Sequence, residues 1–356
     1  MAGLAETRPA AARGGLWPAL RPASPALALM VLLGCLTLGL LVGPAGIGPW
    51  ETLRVLLNHV AGAGFDVSRQ ADAIVWQIRL PRVLLAGIVG GTLAFSGAAY
   101  QGVFRNPLAD PYLLGVAAGA GLAGSLAIVL DVPLSYAGFS LLPAVSFAGA
   151  ITAVLLAYVI ARSSGQTPNT TLILAGITVS SVAVAAISYI LIVDTQSSST
   201  VLAWLMGSFN GSGWRDLSYV LPYALPAAVV IFLHGRLLNV LQLDEQEAAH
   251  AGVDVQRTKA IVLLAASLAT AAAVSVVGIV GFVGIVAPHV VRLLIGPDYR
   301  RLLPVVVLVG ASFLILADVG ARLLVSPGEL PVGIVTSFVG APFFLVLLRR
   351  QRKVYF

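Results

Sequence analysis

Charged residues are scarce in this chain, at 10% of its 356 residues, whereas 58% of the residues are hydrophobic. A water-soluble domain carries roughly 25% charged residues, and a soluble core could not bury apolar runs as long as those found here. A bilayer span needs about 20 apolar residues, and several such runs occur between short polar loops. The sequence therefore excludes a soluble protein and indicates one polytopic membrane domain.

Residues that usually carry chemistry are also few. Cys35 is the only cysteine, which rules out an intrachain disulfide and a cysteine-based metal site. The sequence contains no Walker A motif, no HExxH, no GxSxG and no paired carboxylates. The histidines are scattered, and His289, which follows Pro288 in an apolar segment, is interpreted as a hydrogen-bonded structural residue. We therefore predict that this chain is not an enzyme and binds no metal.

Ionisable groups inside the apolar runs are equally rare. Proton-driven transporters usually bury Asp, Glu or His midway across the bilayer. Here Asp318 is the only acid inside a predicted span, and it lies close to one end of that span. Arg322 follows four residues later, a spacing that lets the two side chains pair along a helix. A transporter without its own ion relay must take its energy from another source.

The apolar runs predict an all-α membrane protein with about ten transmembrane helices. Residues 1–25 are rich in Ala, Pro and Arg and are predicted to be a disordered cytoplasmic segment. A retained first span is favoured over a cleaved signal peptide, because the first run is long for a signal. Residues 26–350 form the predicted transmembrane domain, and residues 351–356 form a cytoplasmic tail. The predicted spans are 26–42, 83–104, 112–130, 141–161, 170–193, 218–234, 259–280, 282–295 (a short one), 302–321 and 333–348.

The distribution of Lys and Arg orients these spans. With the N-terminus inside, the inner segments hold fifteen of the 21 basic residues and the outer segments hold six. This bias predicts that both termini are cytoplasmic, and it explains the net charge of +6 without a nucleic-acid partner. Three of the six outer residues, Arg79, Arg82 and Arg322, lie at span ends and break the trend.

Glycines recur inside the apolar runs at a spacing of four residues, as at Gly87 and Gly91 and again at Gly115 and Gly119. Small residues at this spacing allow helix backbones to approach closely in lipid. The pattern predicts a densely packed helical bundle.

Residues 243–259, with the sequence LDEQEAAHAGVDVQRTK, form a polar island on the predicted inner side. Acidic residues crowd its start, where the dipole of a short helix favours them, and Gly252 can end such a helix. Two short helices at the membrane surface and a solvated loop are both compatible with this composition.

Five segments together carry a resemblance to a known family. They are QIRLPR, RNPLADPYLLG, the acidic segment 243–254, GFVGIVAPHVVRLLIGPDYR and ELPVGIVTSFVGAPFF, in this order over roughly residues 50–350. In these segments the chain resembles the permease family of ABC importers for cobalamin, haem and ferric siderophores. The resemblance implies a type II ABC importer permease-like bundle in a bacterial or archaeal plasma membrane.

The resemblance also implies partners and a function. Permeases of this family work as homodimers, with two cytoplasmic ATPase subunits beneath and one extracytoplasmic substrate-binding protein above. ATP and Mg belong to the ATPase, so this chain would hold no cofactor. The implied function is ATP-driven import of an iron chelate (siderophore or haem) or of cobalamin by alternating access. An ion-coupled secondary transporter or a channel is the alternative.

Site residues are carried over from the family motifs. Arg79, Arg82 and Arg322 match residues that dock the binding protein, since arginine suits bidentate capture of carboxylates. Contact with lipid headgroups and pairing of Arg322 with Asp318 are the alternatives. The acidic segment matches the helices that fit a cleft of the ATPase. Its implied coupling residues are Asp244, Glu245, Glu247, Ala248, Ala249 and Gly252.

A cytoplasmic gate is matched by Asn169 and Thr170, although the family often has hydroxyl residues at both positions. The two residues could equally cap the fifth predicted span. Further along this span, hydroxyl groups either line a path for a hydrophilic chelate or bond to neighbouring helices. These pathway candidates are Thr178, Ser180, Ser181 and Ser188.

Overall fold

The computed structural model describes residues 24–43, 45–132, 135–136, 139–162, 167–243, 245–325 and 328–352. Nearly all of the segment that is predicted to be disordered, the coupling residue Asp244 and most of the predicted tail lie outside these described residues. Within them the chain is helical apart from its loops and a hairpin whose two strands have two residues each.

The helices fall into long membrane-length elements and short connecting ones. They are α1 (Ser24–Leu41), α2 (Pro49–Ala61), α3 (Arg69–Asp72), α4 (Leu80–Phe104), α5 (Val116–Val129), α6 (Leu141–Ala161), α7 (Asn169–Val193), α8 (Ser198–Leu205), α9 (Trp214–Leu233), α10 (Gly235–Val240), α11 (Glu245–His250), α12 (Val255–Val277), α13 (Val283–Ile295), α14 (Tyr299–Leu323) and α15 (Val332–Arg352). A π-helix, Ala73–Arg79, joins α3 to α4, and β1 (Ser135–Tyr136) pairs antiparallel with β2 (Phe139–Ser140).

Each of the ten predicted spans coincides with an apolar helix. Among the described residues, seven helices are long and apolar enough to cross a bilayer: α1, the continuous helix that ends with α4, α6, α7, α9, α12 and α14. The remaining three, α5, α13 and the apolar part of α15, are shorter. The predicted fold class is therefore confirmed, including a short eighth span, since α13 has only 13 residues. Its burial against protein makes a short span tolerable in lipid.

The second predicted span is longer than the sequence indicated. α3, the π-helix and α4 form one helix of 36 residues, about 54 Å long at 1.5 Å per residue. The hydrocarbon core is about 30 Å thick, so this helix extends beyond it. α2, which the sequence did not predict, packs on the extension: Val55 is buried beside Val75, and His59 stacks on Trp76 at 4.0 Å between ring centroids. Residues 49–79 are called the cap below.

α4 lies at the centre of the bundle, where nearly all of its residues are buried. It packs against α9, α12, α13 and α14. Two of these contacts depend on glycine, because a Cβ at Gly97 would overlap the carbonyl oxygen of Gly284 on α13, and a Cβ at Gly90 would overlap that of Gly310 on α14. The helix backbones therefore touch directly.

The predicted close packing at the four-residue glycine pairs is confirmed. An added Cβ at Gly91 would lie 3.0 Å from Val307 of α14, and one at Gly119 of α5 would overlap the carbonyl of Gly149 on α6. Gly115 instead starts α5 with φ at +87°, a conformation that residues with a Cβ rarely adopt.

The bundle divides into two packed groups joined by α12. α5, α6 and α7 pack on one another, whereas α1, α4, α13 and α14 form the other group, and α12 contacts both α4 and α6. α7 is largely exposed, since only five of its 25 residues are buried. A wide face of α7 is therefore left uncovered by this chain.

We expect Gly97→Ala to lower the stability of the folded bundle by about 1–3 kcal/mol or more, because the added methyl group must push α4 away from α13. Thermal unfolding in detergent measures this loss. Gly34→Ala in α1 is the matched control, since a Cβ there meets nothing within 4 Å. Equal unfolding temperatures for the two variants would contradict the close backbone contact.

Candidate functional site

Functional side chains gather at both ends of the bundle. α4 and α14 run in opposite directions, so Arg82 near the start of α4 meets Asp318 near the end of α14. This end is called the Arg82 end. At the opposite end, called the Asn169 end, Asn169 at the start of α7 meets the last turn of α4 and the first turn of α12.

At the Arg82 end, two arginines share one buried carboxylate. Arg82 donates to Asp318 Oδ1 from Nη2 at 2.8 Å and from Nε at 3.1 Å, and Arg322 Nε lies 3.1 Å from Asp318 Oδ2. Arg82 also donates from Nη1 to Glu329 Oε1 at 3.0 Å. Asp318 is 1% exposed, Arg82 7% and Arg322 4%. Such charges are stable in the interior only when they are paired and hydrogen-bonded together, as they are here.

The same cluster fastens the end of α1. Arg79 Nη1 donates to the carbonyl oxygen of Leu40 at 3.1 Å, and Arg322 Nη1 donates to that of Val42 at 3.0 Å. The last carbonyls of a helix have no partner within it and form the negative end of its dipole. The arginines supply both the missing donors and the positive charge.

The structure thus brings the three predicted docking arginines to one end of the bundle, and it also buries them. The predicted pairing of Arg322 with Asp318 is confirmed. The pair between Arg82 and Asp318 was not predicted, because the two residues are 236 positions apart and no local pattern connects them. Glu329, which lies in the connection after α14, was likewise missed.

At the Asn169 end, polar side chains join three helices. Asn169 Nδ2 donates to the carbonyl oxygen of Val103 on α4 at 3.3 Å, and its Oδ1 accepts from Lys259 Nζ of α12 at 2.9 Å. Two residues earlier in the chain, Thr167 Oγ1 donates to Gln256 Oε1 at 2.6 Å. The helix cap is Pro168, with no side-chain cap bond. The alternative that Asn169 caps α7 is therefore wrong, because its amide is occupied by neighbouring helices.

The pathway candidates lie along the uncovered face of α7. Thr178, Ser181 and Ser188 are exposed, and each hydroxyl donates to a carbonyl of its own helix four residues earlier, at 2.8–2.9 Å. Ser180 is half-buried. Its hydroxyl oxygen would lie 3.5 Å from a Cβ added at Gly115. The alternative of bonds to neighbouring helices is thus not seen for the three exposed hydroxyls within the described part of the chain. Their oxygen atoms can still accept from a solute.

An apolar cavity borders α15. A cavity of about 680 Å³ lies between α8, the connection after α12 and α15, lined among others by Met206, Ile279 and Phe338. Ser337 in its wall donates to the carbonyl of Gly333 in its own helix at 2.8 Å. The cavity is open and chiefly apolar, so it would suit the hydrocarbon parts of a large solute.

The predicted coupling segment contains one short helix, α11, and then the start of the long helix α12. It is therefore helical, but the alternative of two short helices is met by only one. Gly252 ends α11 in the left-handed conformation at φ +82°, and its N–H donates to the carbonyl of Ala249 at 2.9 Å. Ala248 is fully buried, whereas Glu247 and Ala249 are exposed. The side chain of Glu245 is not described. Only the exposed residues can meet a partner in this conformation.

The RNPLADPYLLG segment returns the chain into the bundle. Asp110 Oδ1 accepts from the N–H of Tyr112 at 2.8 Å, which fixes a turn, and Tyr112 Oη donates to the carbonyl of Val280 at 2.8 Å. Burial raises the pKa of Asp110 to about 6, against the opposing effect of the Tyr112 N–H. Arg105 Nη1 donates to the carbonyl of Leu243 at 3.1 Å, so this segment also touches the start of the coupling segment.

His289 differs from its interpretation as a hydrogen-bonded residue. It is 7% exposed, and neither ring nitrogen has a hydrogen-bond partner among the described residues. The rings of Phe343 and Phe344 lie edge-on to the imidazole of His289, each with 6.2 Å between ring centroids. The expectation of a hydrogen bond was therefore wrong, because aromatic rings from α15 occupy the space beside the imidazole.

Known proteins resemble this chain in sequence and in fold. The profile described as the FecCD transport family matches residues 29–350, which include both ends of the bundle. The chain belongs to this family. It is accordingly a membrane-spanning permease of an ABC importer, as the sequence resemblance indicated.

Relatives and a solved structure agree with this assignment. The cobalamin import system permease protein BtuC of Halobacterium salinarum is 44% identical over 85% of this chain and 79% of its own length. The hemin transport system permease protein HmuU of Yersinia pestis is 42% identical over 78% and 84%. A solved structure described as an inward-facing conformation of a metal-chelate type ABC transporter is 31% identical, with a TM-score of 0.79 over 92% of this chain and 99% of that one.

We expect Asp318→Asn to destabilise the protein by about 3–5 kcal/mol, because Arg82 and Arg322 would lose the charge that makes their burial tolerable. Thermal unfolding in detergent again reports the loss. Asp72→Asn in the cap is the matched control: its pair with His59 has side chains 40% and 32% exposed, and exposed pairs contribute about 0–1 kcal/mol. Similar losses in the two variants would show that the cluster does not stabilise the fold.

Proposed function

We propose that this chain works as a homodimer in a bacterial or archaeal plasma membrane, with two ATPase subunits at the Asn169 end and a substrate-binding protein at the Arg82 end. The observation that carries the proposal is that the two predicted partner surfaces lie at opposite ends of one bundle. The bias of Lys and Arg supports a cytoplasmic Asn169 end. Since α1 starts and α15 ends there, both termini would be cytoplasmic.

Transport would proceed by alternating access. The loaded binding protein docks at the Arg82 end, and the chelate enters between the uncovered faces of α7 in the two copies, past Thr178, Ser181 and Ser188. ATP binding and hydrolysis in the partner subunits then move α11, and this movement reaches the gate at Asn169 and Thr170. ATP and Mg are held by the ATPase, so this chain binds no cofactor and catalyses no covalent step.

The substrate class follows from the named relatives. The two permeases compared above import cobalamin and hemin, and a 35% identical relative from Bacillus subtilis is the iron(3+)-hydroxamate import system permease protein FhuG. All three solutes are large metal chelates. We therefore assign this chain the import of an iron chelate, siderophore or haem, or of cobalamin. No comparison supports the alternative of an ion-coupled transporter or channel.

Reconstitution tests the function directly. Proteoliposomes that contain this chain and its ATPase, with ATP in the lumen and the binding protein outside, should accumulate a labelled ferric siderophore, haem or cobalamin only while ATP is hydrolysed. Uptake that persists without the ATPase and collapses with an ionophore would overturn the proposal.

Ala249→Trp should abolish uptake in this system, because an indole on the exposed face of α11 would overfill the ATPase cleft. Ala248 is unsuitable for this test, since its complete burial means that a Trp there would disturb the fold. Ala249→Ser is the control and should transport normally. Normal uptake by the Trp variant would remove α11 from the ATPase interface.

Burial sets a condition on docking at the Arg82 end. Arg82 is already paired, so a carboxylate of the binding protein must replace one of its partners. Glu329 is the replaceable one, because its side chain is 23% exposed against 1% for Asp318. Arg79 and Arg322 would add positive electrostatic potential near Arg82, while they stay bonded to the carbonyls at the end of α1.

Glu329→Gln should therefore raise the affinity of the binding protein for the permease, since it removes the acid that competes for Arg82. The gain should shrink at high salt, which screens charge pairs. The measurement is a binding titration on the permease in nanodiscs at two salt concentrations. Glu51→Gln makes the same charge change in the cap and serves as the control. An equal effect of both variants, or none, would refute exchange at Arg82.

A further inference from the structure

The starts of α7 and α12 are joined by two polar contacts that no part of the proposed function uses. Thr167 bonds to Gln256 at 2.6 Å, and Lys259 bonds to Asn169 at 2.9 Å. Lys259 is only 2% exposed and Thr167 6%. The four residues are called the clasp below. A lysine so deeply buried is unusual for a role in packing alone, because an apolar residue of the same length avoids desolvating a charge.

The α12 half of the clasp follows the coupling segment closely in the chain. α11 ends at Gly252, and only Val253 separates that turn from Asp254, whose carboxylate caps α12 by accepting from the N–H of Arg257 at 3.0 Å. From Asp254 onward the chain is helical, and Lys259 follows after five residues, about 7.5 Å along the axis. A displacement of α11 must therefore carry the α12 half of the clasp with it.

The other side of the clasp is the first turn of α7. Only five of the 25 residues of α7 are buried, and its direct backbone contact, between Gly176 and Leu113, lies beyond this first turn. α4 provides the fixed point: Gln242, just before the coupling segment, donates to the carbonyl of Gly102 at 3.0 Å, and Asn169 donates to that of Val103. The coupling segment and the start of α7 are thus held beside each other at the end of α4.

We propose that Lys259 is a positioning residue for the cytoplasmic gate: the clasp stays closed during the cycle and transmits the movement of the coupling segment to Asn169 and hence to α7. A hydrogen bond from an ammonium group is roughly twice as strong as one between neutral groups, which suits a link that must carry a displacement without opening. The inference rests on the proposed function, since it needs an ATPase to move α11.

Lys259→Met tests the link, because methionine fills the same space without donating. In the reconstituted system we expect ATP hydrolysis to continue while the chelate taken up per ATP hydrolysed falls several-fold. Lys259→Arg, which keeps a donor and the charge, should restore much of the ratio. Arg257→Met, on the exposed face of the same turn, is the control and should match the wild type.

A reversible bridge separates transmission from mere stability. Because Cys35 is the only cysteine, Thr167→Cys with Gln256→Cys can be added to a Cys35→Ala background and joined by a short bis-methanethiosulfonate, which forms a reducible disulfide with each thiol as methanesulfinate leaves. If the clasp transmits while closed, bridging should leave uptake intact and should rescue the ratio in Lys259→Met. Reduction should remove the rescue, which a change in stability alone would not explain.

The outcomes keep the two proposals apart. If the wild-type complex shows no ATP-dependent uptake, the proposed function fails. If the wild type transports but Lys259→Met has the wild-type ratio of uptake to hydrolysis, only the clasp inference fails. A bridge that blocks transport would also overturn it, since the contacts would then have to open in each cycle.

Discussion

Direct contact between helix backbones is the constraint on which the rest of the bundle depends. Gly97 and Gly90 let α4 touch the carbonyls of α13 and α14, and this contact holds α4 in the centre, buried along nearly its whole length. Both candidate sites are then built on its two ends, with Arg82 at one and the carbonyl of Val103 at the other. A helix so enclosed cannot shift without losing backbone contacts, which makes it the reference for every moving part.

Both ends of the bundle contain buried charged side chains. Asp318 lies between two guanidinium groups, and removal of either side of such a pair leaves a buried charge uncompensated. At the other end, Lys259 donates to the amide oxygen of Asn169. The first arrangement therefore suits a fixed joint between α1, α4 and α14. The contact of Lys259 suits a link that keeps the starts of α7 and α12 together.

Features that depend on neighbouring residues in the sequence could be predicted, whereas contacts between distant residues could not. Ten spans followed from apolar runs, and the pairing of Asp318 with Arg322 followed from a spacing of four residues along one helix. The contact of Arg82 with Asp318 joins distant positions and left no local trace. α2 escaped notice because its apolar residues alternate with polar ones and its run is short. That Ala248 is buried while Ala249 is exposed depends on packing in space, which composition cannot convey.

The π-helix between α3 and α4 has a consequence for the geometry of the whole cap. A π-turn contains about one residue more than an α-turn, and one residue corresponds to about 100° of rotation in an α-helix. The seven residues from Ala73 to Arg79 therefore set the rotation of α3 about the helix axis relative to Arg82. Trp76, which lies within these seven residues, meets both His59 and Trp214. The π-helix therefore determines the direction in which the cap faces at the Arg82 end.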